Sequence, residues 1–142
     1  LILDHKRHPR NFREMPEATR TVDGHNPLCG DHLRLYVRLD GDRIADVSFI
    51  GNGCAISVAS ASLLTDIVTG LSKQQALDCF AEVTARLAAP GAHESRNIGV
   101  NLDKIRALDG VREYPSRVKC ATLAWHALNS AIQGQSKPVS TE

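Results

Sequence analysis

The segment HLRLYVRLDG, residues 32–41, indicates the architecture of this chain. Apolar and polar side chains alternate strictly along it, and the apolar ones on one face are Leu33, Leu35, Val37 and Leu39. This alternation predicts a half-buried β-strand. Asp40-Gly41 then supplies residues that a tight hairpin turn requires. An inward face continues on the returning strand at Ala45, Val47 and Phe49, so an antiparallel hairpin is predicted.

Helical spacing follows the hairpin. After the glycine-rich turn 51–53, apolar residues recur at three- and four-residue intervals from Ile56 to Ile67, and Gly70 closes the predicted helix. Ser72 followed three residues later by Gln75 is a capping-box signature that begins the next helix, which Pro90 stops.

The remaining elements are predicted from the same signals. A short helix is predicted over 102–108, ending at Gly110, and a final amphipathic helix over 118–132, ending at Gly134. At the other end of the chain, residues 1–7 are predicted to form a short helix that ends before Pro9, followed by an irregular Arg-rich stretch.

Strands followed by helices indicate an α+β fold, in which a small antiparallel sheet carries helices packed on one face. We expect one domain over residues 1–134 and a flexible C-terminal tail over 135–142.

Composition limits the classes of partner. Lys and Arg number 17 against 16 Asp and Glu, so no strong field favours nucleic acid or an anionic membrane. No apolar stretch approaches the roughly 20 residues of a membrane-spanning helix. A cytoplasmic protein is the expectation, in which the four cysteines are reduced thiols or metal ligands rather than disulfides.

Three cysteines occupy loops or predicted helix starts. Cys29 precedes the first predicted strand, Cys54 ends the glycine-rich turn, and Cys120 falls near the start of the last helix. A helix N-terminus stabilises a thiolate, so Cys54 and Cys120 are candidate thiolates, and Arg117 and Lys119 would act in the same direction.

Asp31 lies two residues after Cys29 and can add a carboxylate oxygen to these three sulfurs. Three sulfurs and one oxygen suit zinc or the iron of an iron–sulfur cluster. By spacing alone, Asp31 serves equally well as a turn or cap residue, and both interpretations stay open here.

The other candidate ligands are interpreted differently. Cys79 lies mid-helix at the edge of an apolar stripe, so we expect a small buried hydrophobe. His32 directly follows Asp31 and is kept as a substitute or supporting ligand. The remaining histidines, which show no mutual ligand spacing, are His5, His8, His25, His93 and His126.

Three motifs resemble one family. They are NPLCGD over 26–31, FIGNGCAISVASAS over 49–62 and KCATLAW over 119–125, and together they resemble the IscU/NifU-type iron–sulfur cluster assembly proteins, specifically the SufU branch. The similarity extends to ILDH over 2–5 and PRN over 9–11, so it spans nearly the whole chain.

Two features favour that branch. Scaffold members carry a histidine immediately before the last cysteine, where this chain has Lys119, and residues 109–115 resemble an insertion characteristic of SufU. A Leu-Pro-Pro-Val-Lys segment that scaffold members use to engage a chaperone is replaced by YPSRVK, residues 114–119.

The resemblance implies a SufE/IscU-like fold, a zinc ligated by Cys29, Asp31, Cys54 and Cys120, and a SufS-type cysteine desulfurase as partner. The leading hypothesis is a zinc-dependent sulfurtransferase that accepts persulfide sulfur, first on Cys29, and passes it to downstream iron–sulfur assembly proteins. Cys29 is preferred because its loop lacks a helix dipole and moves easily. The alternatives are a scaffold that assembles a 2Fe-2S cluster on the same residues, and an interaction module with a structural zinc.

Overall fold

A four-stranded sheet forms the centre of the fold in this computed structural model, which describes residues 2–27, 29–88, 99–134 and 138–141. The strands are β1 (Arg20–Asn26), β2 (Asp31–Asp40), β3 (Arg43–Asn52) and β4 (Val139–Ser140). Their spatial order is β3-β2-β1-β4, in which β1, β2 and β3 pair antiparallel.

The predicted hairpin is present as β2 and β3. Leu33, Leu35 and Val37 are buried, as the alternation requires. On the returning strand, Ile44 is buried and Ala45 is only half-buried, which corrects the expected inward position of Ala45. A register shift explains the difference, because Arg38 pairs with Asp46 and Leu39 with Ile44. Ala45 is thus the extra residue of a bulge.

The strand β1 was not predicted, since the stretch after the first helix was expected to be irregular. Its sequence RTVDGHN contains one buried apolar side chain, Val22, so no alternation of hydrophobic residues predicts a strand there. The neighbouring β4 runs parallel to β1. It lies within residues 135–142, where a flexible tail was expected, and the domain boundary at 134 stays a prediction.

In the part of the chain that the structure describes, four α-helices accompany the sheet: α1 (Ile2–Arg7), α2 (Ala55–Val68), α3 (Lys73–Ala88) and α4 (Pro115–Ile132). The predicted capping box is confirmed at the start of α3, where the Ser72 backbone N–H donates to Gln75 Oε1 at 3.0 Å and the Gln75 N–H to Ser72 Oγ at 3.1 Å. The short helix expected over 102–108 is instead a longer 3-10 helix, Asp103–Glu113, which continues past Gly110.

The helix α4 begins at Pro115, three residues before the predicted start. Proline is favoured in the first helical turn because its missing N–H would have no partner there. The close packing of α4 against β1 depends on Gly24, since a Cβ at this position would lie 3.2 Å from Leu123 Cδ1. This approach brings α4 to the end of β1 at which the candidate site lies.

The core lies between the helices and one sheet face, and its largest side chains include Trp125, Phe49 and Leu123. The opposite face carries exposed His25, His32 and Arg34. The α+β prediction, with helices packed on one face of the sheet, is therefore confirmed. Within the described ranges, no helix combines the length and apolar composition needed to cross a bilayer.

Candidate metal centre

The turn between β1 and β2 positions Cys29 and Asp31. The Cys29 backbone N–H donates to the Asn26 carbonyl oxygen at 3.3 Å, and Gly30 has φ +70, a left-handed conformation that favours glycine. Asp31 then begins β2 opposite Asn26. The Asp31 side chain is buried, whereas Cys29 is half-buried. The turn therefore leaves one sulfur near the surface and places the carboxylate inside.

Asp31 is anchored by the segment that carries Cys54. The Cys54 backbone N–H donates to Asp31 Oδ1 at 2.8 Å, and Cys54 Sγ lies 4.0 Å from Asp31 Oδ2. Gly53 leaves room for this contact, because a Cβ there would lie 2.7 Å from Asp31 Oδ1. One carboxylate oxygen of Asp31 therefore accepts a backbone hydrogen bond, while the other faces the Cys54 sulfur. The interpretation of Asp31 as a cap residue and its interpretation as a metal ligand are thus compatible.

Cys54 lies at the N-terminus of α2, as predicted. It is the N-cap residue, and its Sγ accepts a hydrogen bond from the Ser57 backbone N–H at 3.4 Å. Free N–H groups and the helix dipole both stabilise negative charge at this position. The helix geometry thus holds Cys54 in a setting that suits a thiolate.

Cys120 was expected near the start of the last helix, and the structure places it one turn deeper in α4. Because α4 starts at Pro115, Cys120 falls in the second turn, where its Sγ lies 3.5 Å from the Ser116 carbonyl oxygen and 3.5 Å from Asn26 Nδ2. Burial, together with hydrogen bonds involving Cys29 and Asp31, raises the pKa of the Cys120 thiol. The helix dipole therefore does not make Cys120 a free thiolate in this chain.

Ligand atoms of Cys29, Asp31 and Cys120 all lie within 4.8 Å of one another. Cys54 adjoins this group through the Asp31 carboxylate. Neighbouring sulfurs around a tetrahedral zinc are about 3.8 Å apart, given Zn–S bonds of about 2.3 Å, so small side-chain adjustments would bring Cys29, Asp31 and Cys120 to coordination distance. Cys54 lies outside the 4.8 Å group and approaches it at the Asp31 carboxylate. The donor chemistry and the spacing both fit a zinc ion.

Arg117 is a cation that interacts with this group of sulfurs. The pKa of Arg117 is raised first by its electrostatic interaction with Cys54, next by that with Cys120, and further by a side-chain hydrogen bond with Cys54. Arg117 is itself exposed. Its position at the start of α4 therefore places a positive charge at the outer side of the cysteine group.

Other candidate ligands lie elsewhere. Cys79 is fully buried, and burial raises the pKa of its thiol to about 11, which agrees with the structural interpretation. His32 is exposed on the opposite face of the sheet from Asp31, against His25 at 5.8 Å between ring centroids. The alternation of β2 thus excludes His32 from the group. His93 lies outside the described residues.

Asn26 was quoted in a motif but was given no role from the sequence. The structure buries it completely and places it in contact with both Cys29 and Cys120. The sequence feature that could have identified Asn26 is its position directly before Pro27, but the strand that it ends was not recognised.

Comparisons with known proteins agree with this geometry. Residues 1–121 match the family described as NifU-like N terminal domain. The chain is 40% identical over 136 residues to the iron–sulfur cluster assembly scaffold protein IscU of Streptococcus pyogenes serotype M1, covering 94% of this chain and 80% of the relative. It is 39% identical over 132 residues to the zinc-dependent sulfurtransferase SufU of Bacillus subtilis strain 168, covering 93% and 86%.

Solved structures share the fold. A crystal structure from thermophilic Fervidobacterium islandicum AW-1, described as a candidate iron–sulfur cluster assembly scaffold protein for the SUF system, matches with a TM-score of 0.84 at 34% identity, covering 92% of this chain and 93% of that one. An N-terminal NifU-like protein from Brucella abortus matches with a TM-score of 0.81 at 19% identity, covering 93% and 89%, which supports the fold alone.

Proposed function

Because this chain belongs to the NifU-like N terminal domain family, we propose that it serves iron–sulfur cluster assembly as a zinc-dependent acceptor of sulfur from a SufS-type cysteine desulfurase. One observation carries the proposal: the β1–β2 turn and α4 bring Cys29, Asp31 and Cys120 within 4.8 Å of one another, and a third segment places Cys54 beside Asp31. Similarity to relatives named as an iron–sulfur cluster assembly scaffold and as a zinc-dependent sulfurtransferase supports a role in iron–sulfur cluster assembly.

Zinc would be held by Cys29, Asp31, Cys54 and Cys120. When bound, it supplies charge that keeps thiolates deprotonated, and it has no redox role. The Asp31 carboxylate is oriented by the Cys54 backbone N–H, and the Cys54 sulfur by the Ser57 N–H. The chain's own hydrogen bonds thus orient two of the four ligands.

Cys29 is the proposed sulfur acceptor. It is half-buried in a turn, whereas Cys120 is buried, and Cys54 is equally half-buried but serves as the N-cap of α2. Leaving the ligand set would cost Cys54 its helix cap, while Cys29 lies beside Gly30 in a turn whose backbone can move. Cys29 also lies outside every described helix, so no helix N-terminus holds its sulfur in place.

The transfer step conserves atoms and electrons. The Cys29 thiolate attacks the outer sulfur of the desulfurase persulfide, a new S–S bond forms on Cys29, and the desulfurase S–S bond breaks. The leaving group is the desulfurase cysteine thiolate, which takes up a proton or begins a new cycle. The outer sulfur keeps its oxidation state, so no additional oxidant or reductant is needed. The Cys29 persulfide would then be consumed by downstream iron–sulfur assembly proteins.

The scaffold function is the second candidate, and the similarity to proteins named as scaffolds favours it. The same four residues would then hold a 2Fe-2S cluster. Lys119 in place of a histidine before Cys120 counts against it, because imidazole is an additional ligand for iron. A structural zinc module is the third candidate.

Metal content combined with desulfurase kinetics separates the three. The protein is purified from cells, its metals are measured, and alanine release by a SufS-type desulfurase is followed with and without it. Zinc with acceleration supports sulfur transfer, a coloured iron–sulfur protein supports the scaffold, and zinc without acceleration supports the structural module.

The role of Cys29 is tested by locating the transferred sulfur. After incubation with desulfurase and cysteine, peptide mass spectrometry under non-reducing conditions should find the added sulfur first on Cys29. Cys29→Ser should abolish acceleration, while the matched Cys79→Ser variant should keep it. Sulfur first on Cys54 or Cys120, with Cys29 unmodified, would contradict the assignment.

A further inference from the structure

The side chain of Asn26 makes an unusual contact for a fully buried residue. Its Nδ2 donates to Cys120 Sγ at 3.5 Å, and its backbone carbonyl accepts from the Cys29 N–H at 3.3 Å. Asn26 also pairs with Asp31 across the β1–β2 ladder. One residue thus touches two of the proposed ligands and lies opposite a third.

The orientation of this amide follows from what a thiolate can accept. Besides the neighbouring ligands Cys29 and Asp31, Cys120 Sγ lies 3.5 Å from Asn26 Nδ2 and 3.5 Å from the Ser116 carbonyl oxygen. A thiol can donate to the carbonyl, but a metal-bound thiolate has no proton and can only accept. Of these two groups, the Asn26 amide is therefore the one that can still hydrogen-bond the sulfur when a metal is bound.

The buried amide of Asn26 carries a cost in folding free energy. Asn26 Oδ1 is buried and has no hydrogen-bond partner among the described residues. A buried polar atom without a partner costs about 1–3 kcal/mol. An apolar side chain of similar size would avoid that cost, so the fold alone does not require an amide here.

We propose that Asn26 is a positioning residue that holds Cys120 as the permanent metal ligand while Cys29 leaves to accept sulfur. The inference rests on the proposed function. The N–H···S hydrogen bond withdraws electron density from the Cys120 sulfur and fixes its direction, which makes it a poorer nucleophile. Among the hydrogen bonds of the described residues, Asn26 and Cys29 are joined through the backbone alone, with the Cys29 N–H as donor, so the Cys29 sulfur is not restrained in this way.

The test uses two variants, Asn26→Leu and Asn26→Ala. Asn26→Leu preserves the size of the side chain but removes both the Nδ2 donor and the Oδ1 atom that has no hydrogen-bond partner among the described residues. The matched control is Asn129→Ala, on the same helix as Cys120, where Asn129 Oδ1 accepts from Gln133 at 2.9 Å. Three quantities are measured: zinc affinity by chelator competition, unfolding of the metal-free protein in urea, and the alkylation rate of each cysteine in the zinc-loaded protein by peptide mass spectrometry. The buried Cys79 reports general loss of structure.

We expect both Asn26 variants to bind zinc about tenfold more weakly, the lower end of what loss of a hydrogen bond to a ligand costs. Cys120 should become alkylated faster relative to Cys79, and Asn26→Leu should unfold at the same or a higher urea concentration than the parent. Asn129→Ala should match the parent in zinc affinity and labelling.

An unchanged rate at Cys120, or an equal rise at Cys79 in both variants, would overturn the proposal, because Asn26 would then be dispensable or only structural. None of these measurements requires the desulfurase. If the parent binds zinc but does not accelerate the desulfurase, the proposed function fails while the labelling still reports on Asn26.

Discussion

Asp31 and Cys54, 23 positions apart, are joined by a hydrogen bond from the Cys54 backbone N–H to Asp31 Oδ1 at 2.8 Å, while Cys54 Sγ lies 4.0 Å from Oδ2. One carboxylate thus ties the start of β2 to the start of α2 and presents its other oxygen to the sulfur. Stability and metal binding should therefore respond differently to changes at this residue.

Replacing Asp31 by Asn should separate the two roles. Asp31→Asn keeps an oxygen that can accept from the Cys54 N–H but loses the negative charge, so zinc binding should weaken while the unfolding free energy stays close to that of the parent. Asp31→Ala removes the acceptor as well and should lose about 1–3 kcal/mol of stability. Urea unfolding of metal-free protein and zinc competition measure the two effects. Equal stability of both variants would contradict the proposed capping role.

Gly53→Ala should disturb the site through steric contact alone. The new Cβ would lie 2.7 Å from Asp31 Oδ1, so the carboxylate must move and zinc affinity should fall. Gly110→Ala is the matched control, because a Cβ there meets nothing within 4 Å. Zinc titration of both variants, with circular dichroism to verify folding, tests this expectation. Parent-like affinity in Gly53→Ala would indicate that Asp31 is not a ligand.

Cys120→Ala should remove tightly bound zinc, because three ligands would remain. Cys79→Ala should retain the metal, since Cys79 is buried in the core away from the site. Elemental analysis after purification gives the zinc content per chain. Full retention of zinc in Cys120→Ala would count against the four-ligand set.

Lys119→His should move the protein towards scaffold behaviour. The substitution adds an imidazole next to Cys120 and removes a positive charge, which enlarges the ligand pool for iron. Reconstitution with iron and sulfide, followed by absorbance spectroscopy, measures the cluster held per chain. If the variant holds no more cluster than the parent, ligation by this residue does not distinguish the two functions.

Stability should decline in alkali through Cys79. Burial raises the pKa of this thiol from 9.0 to about 11 in the folded chain. Between these values the folded state binds one more proton than the unfolded state, so this contribution is complete below pH 9.0 and is lost as the pH rises to about 11. The loss is about 2–3 kcal/mol. Urea unfolding at several pH values should show a shallower alkaline decline in Cys79→Ala, and identical slopes would refute the assignment.

Local patterns identified much of this fold. The β2–β3 hairpin follows from alternating Leu and Val with a glycine turn, and the start of α3 from Ser72 and Gln75, because each signal is complete within a few residues. The strand β1 was missed since it is recognisable only once β2 supplies its partner and Gly24 allows α4 to approach.

The candidate ligands could likewise be named from residue type and motif, but not their arrangement. Sequence spacing cannot show that Asn26 contacts the sulfur of Cys120, 94 positions away. It also cannot show that His32 points away from its neighbour Asp31. The side-chain alternation of β2 and the packing of α4 against β1 decide both. The chemistry available to the site therefore resides in the residues, whereas burial and hydrogen bonding, which distinguish one cysteine from another, arise only when distant segments pack together.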